Sequence, residues 1–299
     1  MTSQSPTRGA DPMAHVAPPG NVPVSVVIPV KNEASNLERC LRSVLWADEV
    51  FVVDSQSTDE TVAIAGRFAA RVVQFRYDGT WPKKKNWALE HLPFRHEWVM
   101  LLDADEALPP SAEDEFRRIT SSPPGPVRGY WINRRFQFMG RWLKHAYYPN
   151  WNLRLFLHRF GRFERIVEGE TESGDVEIHE HVLVDGETGR LDSEMDHYAF
   201  PTVSAFVEKH NRYSSWEAYV ALDPSAKVAH GPSRARSIVR YWARRVPFRP
   251  LLRFLYVYVW NRGFLDGREG YYFARLHALY EFLSVAKTYE RQRKRQSTK

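Results

Sequence analysis

The sequence predicts an α/β protein, a mostly parallel sheet with flanking helices, followed by a C-terminal amphipathic helical region. Two observations carry the first part: four short β-branched apolar runs alternate with helical patterns before residue 104, and 43% hydrophobic content over 299 residues supplies a sizeable core. A third carries the second part. From Gly231 onward sixteen Lys or Arg face four Asp or Glu, against 26 and 32 in the preceding residues. A mildly acidic body with a strongly basic end points to an anionic partner for that end.

The first 21 residues, rich in Pro, Gly and small polar types, lack an apolar stretch behind a basic one and read as a disordered leader, so a cytoplasmic protein is expected. The strands are "VSVVIPV" (24–30), "EVFVVD" (49–54), "RVVQF" (71–75) and "WVMLLD" (98–103). Between them, Leu37, Cys40, Leu41 and Val44 share one face of a first helix, and Val62, Ala65 and Ala69 one face of a second. Ser35 with Glu38 and Ser57 with Glu60 have capping-box spacing at the helix starts. A third helix begins near Pro82 and carries Trp87, Ala88 and Leu89. Cys40, the single cysteine, reads as a small core hydrophobe.

Open parallel sheets bind ligands at the carboxyl ends of their strands. Those ends carry Lys31, Asn32 and Glu33, then Asp54 and Ser55, then Asp103, Asp105 and Glu106 in "LLDADE". Carboxylates this close repel unless a cation or hydrogen-bond donors compensate. The segment is therefore either a solvated loop or a place built to hold a cation. After Pro110, "RGYWINRRFQFMGRWL" (128–143) and "NLRLFLHRFGRFE" (152–164) look like antiparallel strands lengthening the sheet, and "HVLVDGETGRL" (181–191) reads as a hairpin about Asp185 and Gly186.

With these residues in place, the first 110 positions resemble the nucleotide-sugar half of a family 2 glycosyltransferase with the GT-A (Rossmann-like) fold. "SVVIPVKNEASNLERCLRSV", "VVDSQSTDET" and "LLDADE" match its opening strand, its second-strand acid and its Asp-x-Asp motif. "NLRLFLHR", "IHEHVLVDG" and "NRGFLDG" extend the resemblance to the branch similar to bacterial lipopolysaccharide-core glucosyltransferases. It implies a GT-A catalytic domain over 22–230, with a nucleotide-sugar half (22–110) and an acceptor half (111–230), and a basic tail over 231–299.

The same resemblance implies roles. Asp105 is the first choice of ligand for Mg2+ or Mn2+, with Asp103 touching the ribose or a metal-bound water, while Glu106 either ligates or orients. Magnesium or manganese held by one or two carboxylates would neutralise a nucleotide diphosphate both in binding and in leaving. Asp54 resembles the acid that contacts the nucleoside, and Glu33 sits with Pro29 and Lys31 at the neighbouring strand end, where the resemblance implies donor contact. For Glu33 a helix first-turn acid is the competing reading. "PKKKN" (82–86) resembles the basic-Asn element beside the donor. Cations oppose the helix dipole at that end, so a bound diphosphate explains Lys85, and Asn86 is carried over with it. Arg154 and Arg159 either grip a phosphate by bidentate contact or belong to a solvated face.

Inverting transfer needs a base for the acceptor hydroxyl. In "EIHEHV" the resemblance places it at Glu180, the alternative being a carboxylate that merely pairs with an Arg; Glu177 and Asp175 are weaker candidates. His197 resembles a histidine near the family's site, but a lone histidine is more often a satisfied structural residue, and it is not taken as a metal ligand.

In the tail, residues 233–260 mix Arg with aromatic and aliphatic residues, and 273–286 are amphipathic. The charge-free run "FLYVYVW" is far shorter than the roughly 20 residues a spanning helix needs. Contact with an anionic membrane surface competes with packing on the catalytic domain or on another subunit in a homo-oligomer, and nucleic-acid binding is not expected because no recognised module accompanies the tail. Together these readings describe an inverting, metal-dependent transferase. It would move a sugar, glucose first, from a UDP-sugar donor to a lipid-linked or lipopolysaccharide-core acceptor, as a peripheral protein on the inner face of the cytoplasmic membrane. Two other readings remain. A nucleotidyltransferase would usually carry a Gly-rich phosphate loop where this chain has "PVKNEASN"; a non-catalytic glycan or membrane adaptor on the same fold would not turn over a donor.

Overall fold

A computed structural model of the chain describes residues 22–79, 81–121, 125–164, 181–222 and 248–297. The four apolar runs are strands β1 (Val22–Val30), β2 (Ala47–Asp54), β3 (Arg71–Gln74) and β4 (Trp98–Leu101), separated by helices α1 (Ala34–Arg42), α2 (Thr61–Arg67) and α3 (Lys84–His91). They pair in parallel in the order β3-β2-β1-β4. β1 is buried on both faces, as continuous β-branched runs of central parallel strands require. Val24, Val26 and Ile28 pack with Leu37, Cys40, Leu41 and Val44 on one side; Val27 packs with Phe51, Leu101 and Ala88 on the other.

Beyond β4 the sheet becomes mixed. After β5 (Glu106–Ala107) and α4 (Ala112–Thr120) come β6 (Val127–Phe138), β7 (Arg141–Leu143), β8 (Trp151–Leu157), β9 (Gly161–Phe163), β10 (Val182–Val184) and β11 (Glu187–Phe200). The nine-stranded sheet continues β4-β8-β6-β11-β5, with β7 against β6. β8 is antiparallel to β4 and β6, as expected for 128–143 and 152–164, and β11 runs parallel to β6.

Three local expectations are corrected. Neither capping box forms, because the exposed N–H groups are satisfied across the chain. Asp59 Oδ2 accepts from Ala34 N at 3.1 Å, Thr61 Oγ1 from Glu33 N at 2.8 Å and Ser57 Oγ from Asn32 N at 2.8 Å, so the β2–α2 loop caps α1. Ser35 lies inside α1, and Glu38 pairs with Arg42 and Arg67. The buried face of α2 is Thr61, Ile64 and Ala65, with Val62 outside. Finally, 181–191 is not a hairpin: β10 pairs with β9 in a separate two-stranded sheet, while β11 leaves Gly186, at φ +148°, to follow β6.

The return helix α5 (Val203–Leu222) packs along the C-terminal helix α7 (Gly267–Ser297), which follows α6 (Arg249–Leu255), a π-helical turn (Tyr256–Trp260) and a 3-10 turn (Gly263–Asp266). Phe206, Phe273 and Val257 from this group share a core with Phe136, Phe138 and Leu143 of the sheet. "NRGFLDG" is the hinge of the arrangement. Buried Asp266 accepts the backbone N–H groups of Lys144, His145 and Ala146 at 2.9, 3.0 and 2.7 Å. Gly263 and Gly270 touch so closely that a Cβ on Gly270 would lie 2.0 Å from the Gly263 carbonyl oxygen. Among the described residues no helix is long and apolar enough to cross a membrane.

Candidate active site

The turn from β4 to β5 places Asp103, Asp105 and Glu106 at the carboxyl edge of the parallel strands. It closes on itself: Glu106 N donates to the Asp103 carbonyl at 2.9 Å, and Asp103 N to Glu106 Oε2 at 2.9 Å. β11 clamps it from the far side, with Tyr198 N donating to the Asp105 carbonyl at 2.8 Å and His197 in register with Glu106.

Each carboxylate is matched. Arg154, delivered by β8, places Nη2 at 2.6 Å from Asp103 Oδ2 and 2.5 Å from Glu106 Oε1. Lys85 Nζ, from the first turn of α3, lies 2.9 Å from Asp103 Oδ1, and Arg134 Nη1, from β6, 3.2 Å from Glu106 Oε1. Asp105 faces His197 Nε2 at 3.4 Å and Lys209 Nζ of α5 at 4.0 Å. The negative charge of "LLDADE" is thus met by cations, with Glu106 buried and Asp103 and Asp105 half-buried.

The titration behaviour follows. Burial alone would raise Asp103, but Arg154 and Lys85 outweigh it and hold the carboxyl well below the usual range. At Asp105 burial is likewise outweighed, by His197 and Lys209, and the carboxyl is also depressed. Burial, reinforced by Arg134, pushes His197 down, while Asp105 beside it acts in the opposite direction. Burial raises Glu33, with Asp105 and Asp103 adding to the effect. Its backbone N–H is fixed by Thr61, and its Oε2 accepts from Asn36 Nδ2 at 2.9 Å.

The structure therefore brings Glu33, Lys85, Asp103, Asp105 and Arg154 together. Asp54, at the end of β2, accepts from Ser57 N at 3.1 Å, Ser57 Oγ at 2.5 Å and Gln74 Nε2 at 2.9 Å. Pro29 sits in β1, opposite Val53, and Lys31 is exposed on the following loop. Asn86 uses its amide to hold β9, accepting from Phe163 N at 3.0 Å. Arg159 is exposed in the turn after β8, apart from the acids. Glu180, with Glu177 and Asp175, lies outside the described residues. Sequence reasoning missed Arg134 and Lys209, which no local motif marks. It left His197 undecided; the register of β11 with β5 brings its side chain to Asp105.

Among the described residues no three His, Cys, Asp or Glu side chains are arranged to hold an ion by themselves. Asp105 and His197 nonetheless form a carboxylate–imidazole pair suited to manganese, which would complete its shell with phosphate oxygens and water. The residues present fit a divalent cation bound together with a phosphorylated ligand.

The carboxyl edge of the open α/β sheet thus gathers Asp103, Asp105 and Glu106 among Lys85, Arg134, Arg154 and Lys209. Residues 25–158 match the glycosyl transferase family 2 model. Over 270 residues the chain is 29% identical to an uncharacterized glycosyltransferase of Rickettsia felis, covering 89% of each. Over 280 residues it is 26% identical to the lipopolysaccharide core biosynthesis glycosyltransferase LpsC of Rhizobium meliloti, covering 90% of this chain and 93% of that one. Among solved structures it is similar to the mannosyltransferase PcManGT of Pyrobaculum calidifontis in complex with GDP-Man and Mn2+, at 16% identity over 93% of this chain and 90% of that chain, with a TM-score of 0.45. Residues 25–158 thus fall in glycosyltransferase family 2, and relatives matched over about nine tenths of the chain are glycosyltransferases.

Proposed function

We propose that the protein is an inverting, metal-dependent hexosyltransferase that moves a sugar, glucose first, from a UDP-sugar to a lipid-linked or lipopolysaccharide-core acceptor at the cytoplasmic face of a membrane. The observation that carries this is the turn bearing the half-buried Asp103 and Asp105 and the buried Glu106, surrounded by Lys85, Arg154, Arg134 and Lys209. Such an enclosure suits a ligand that brings both a cation and a diphosphate. A bound Mg2+ or Mn2+ would offset the charge that develops on the diphosphate as it leaves, and Asp105, with Asp103 through water, would hold it. Lys85 and Lys209 would face the phosphates, and Glu33 and Asp54 the nucleoside. Glu180 would take the proton of the acceptor hydroxyl as that oxygen attacks the anomeric carbon from the face opposite the diphosphate. The similarity to LpsC supports a lipopolysaccharide-core acceptor.

Calorimetric titration of nucleotide sugars, with and without manganese, tests this. One UDP-sugar should bind, requiring both metal and Asp105, so Asp105→Ala abolishes binding. Glu180→Gln should bind donor normally and fail in transfer; normal transfer by that variant removes the base assignment. No binding of any nucleotide sugar by folded protein would leave a non-catalytic adaptor as the better reading.

A further inference from the structure

The segment 248–265 places its apolar residues on the wrong side for a soluble helix. Phe248, Leu251, Leu255, Tyr256, Val259 and Trp260 recur at helical spacing along one face, and that face is exposed, Phe248 by 77% and Trp260 by 80%. The opposite face carries the packing: Val257 is buried, and Phe254 and Tyr258 lie against the core formed with Phe136 and Phe273. The exposed stripe continues onto the next turn through Phe264 and Leu265. A contiguous apolar surface of this kind marks an interaction site.

Charge identifies what covers it. No Asp or Glu occurs from 248 to 265, whereas Arg249, Arg253 and Arg262 do, and Arg268 follows. The first acid, Asp266, is buried and occupied with the backbone of residues 144–146. Arg262 and Arg268 are exposed beside the Trp260–Leu265 end of the stripe. A second copy of the chain would bring the same acid-free, arginine-bearing face against this one, whereas an anionic lipid surface supplies the missing charge. Exposed Trp and Tyr beside Arg is the composition that settles at the headgroup boundary.

We propose that the face formed by residues 248–268 docks the protein onto an anionic bilayer, with α6 and the π-helical turn lying in the membrane plane. The proposal rests on the membrane-borne acceptor read above for its purpose, and it ties the docked face to the site. Phe136 contacts Phe273 of α7 at 5.5 Å and His197 at 5.1 Å, and His197 faces Asp105, so one aromatic cluster separates the platform from the acid loop. Docking there would hold the sheet edge close to the lipid surface.

The test is sedimentation of the full chain with vesicles of phosphatidylcholine alone or mixed with phosphatidylglycerol, without donor or acceptor, while UDP-sugar binding is measured on the same preparations. Binding is expected only to the anionic vesicles and to weaken with salt. Leu255→Ser with Trp260→Ser, and separately Arg262→Glu with Arg268→Glu, should each lower partitioning by at least about tenfold, with thermal unfolding and donor binding unchanged. Absence of vesicle binding, equal binding to neutral and anionic vesicles, or wild-type partitioning by both variants overturns the proposal, as does a dimer in solution that Leu255→Ser with Trp260→Ser dissociates. Loss of donor binding in a sample that still binds vesicles would instead count against the transferase reading alone.

Discussion

Arg154 Nη2 stands 2.5 Å from Glu106 Oε1, and the Glu106 side chain is wholly buried. The pair ties β8 to the turn after β4, so the arginine shapes the acidic loop as well as offsetting its charge. Removing one partner of a buried pair strands the other. Arg154→Ala should therefore cost about 3–5 kcal/mol of stability, read as a lower urea midpoint. Arg134, at 3.2 Å, moderates the loss. A cost comparable to a surface substitution would show that the loop holds without Arg154.

Asp103 carries a pH signature. Its folded-state carboxyl is depressed, because Arg154 and Lys85 outweigh the effect of burial. A depressed acid contributes stability that is complete above its unfolded value of about 3.9 and is lost as pH falls toward the folded value. The stability gap between wild type and Asp103→Asn should be widest above about pH 5 and narrow on acidification. Calorimetric unfolding of both proteins across that range reads it directly; a gap constant with pH would contradict the pairing.

Lys209 is half-exposed and reaches Asp105 from α5. Burial opposes its charge, but Tyr213, Asp105 and Asp103 outweigh that and raise its pKa, so it is a cation at neutral pH. Lys209→Met should weaken UDP-sugar binding by about tenfold, the effect of roughly 1.4 kcal/mol, with little change in melting temperature. Unchanged donor affinity would remove Lys209 from the phosphate side of the site.

The carboxylate of Asp266 is the sole described acceptor for three consecutive N–H groups, of which that of Ala146 belongs to a wholly buried residue. A buried donor left unsatisfied costs about 1–3 kcal/mol, so Asp266→Ala should lose about that much through Ala146 alone, seen as a drop in melting temperature. Asp266→Asn, which keeps an acceptor oxygen, should recover part of it. Donor binding by the surviving folded protein should be near normal, since "NRGFLDG" serves architecture.

Much of the fold was legible because its signals are local. Val24–Val30 and Phe51–Val53 are β-branched and buried on both faces, and Leu37, Cys40, Leu41 and Val44 read as one helical face and pack as one. What failed was decided at a distance. The caps of α1 come from Asp59 and Thr61, and the strand after Gly186 follows β6, which precedes it by some fifty residues. In the site, Asp103 and Asp105 stood out as charges at strand ends, and Arg154 as one of two arginines flanking "LFLH". Arg134 and Lys209 did not, because only the sheet register and the return of α5 bring them to the acids.

Cys40 is wholly buried, and its Sγ lies 3.7 Å from the carbonyl oxygen of Asp103, directly beneath the acidic turn. Burial also raises its thiol well above the usual value, so in the closed protein it is both shielded and unreactive. As the single cysteine in the chain it is a built-in reporter. The rate at which a thiol reagent modifies the protein times the opening of this one corner, and any ligand that braces the turn will announce itself by slowing the label.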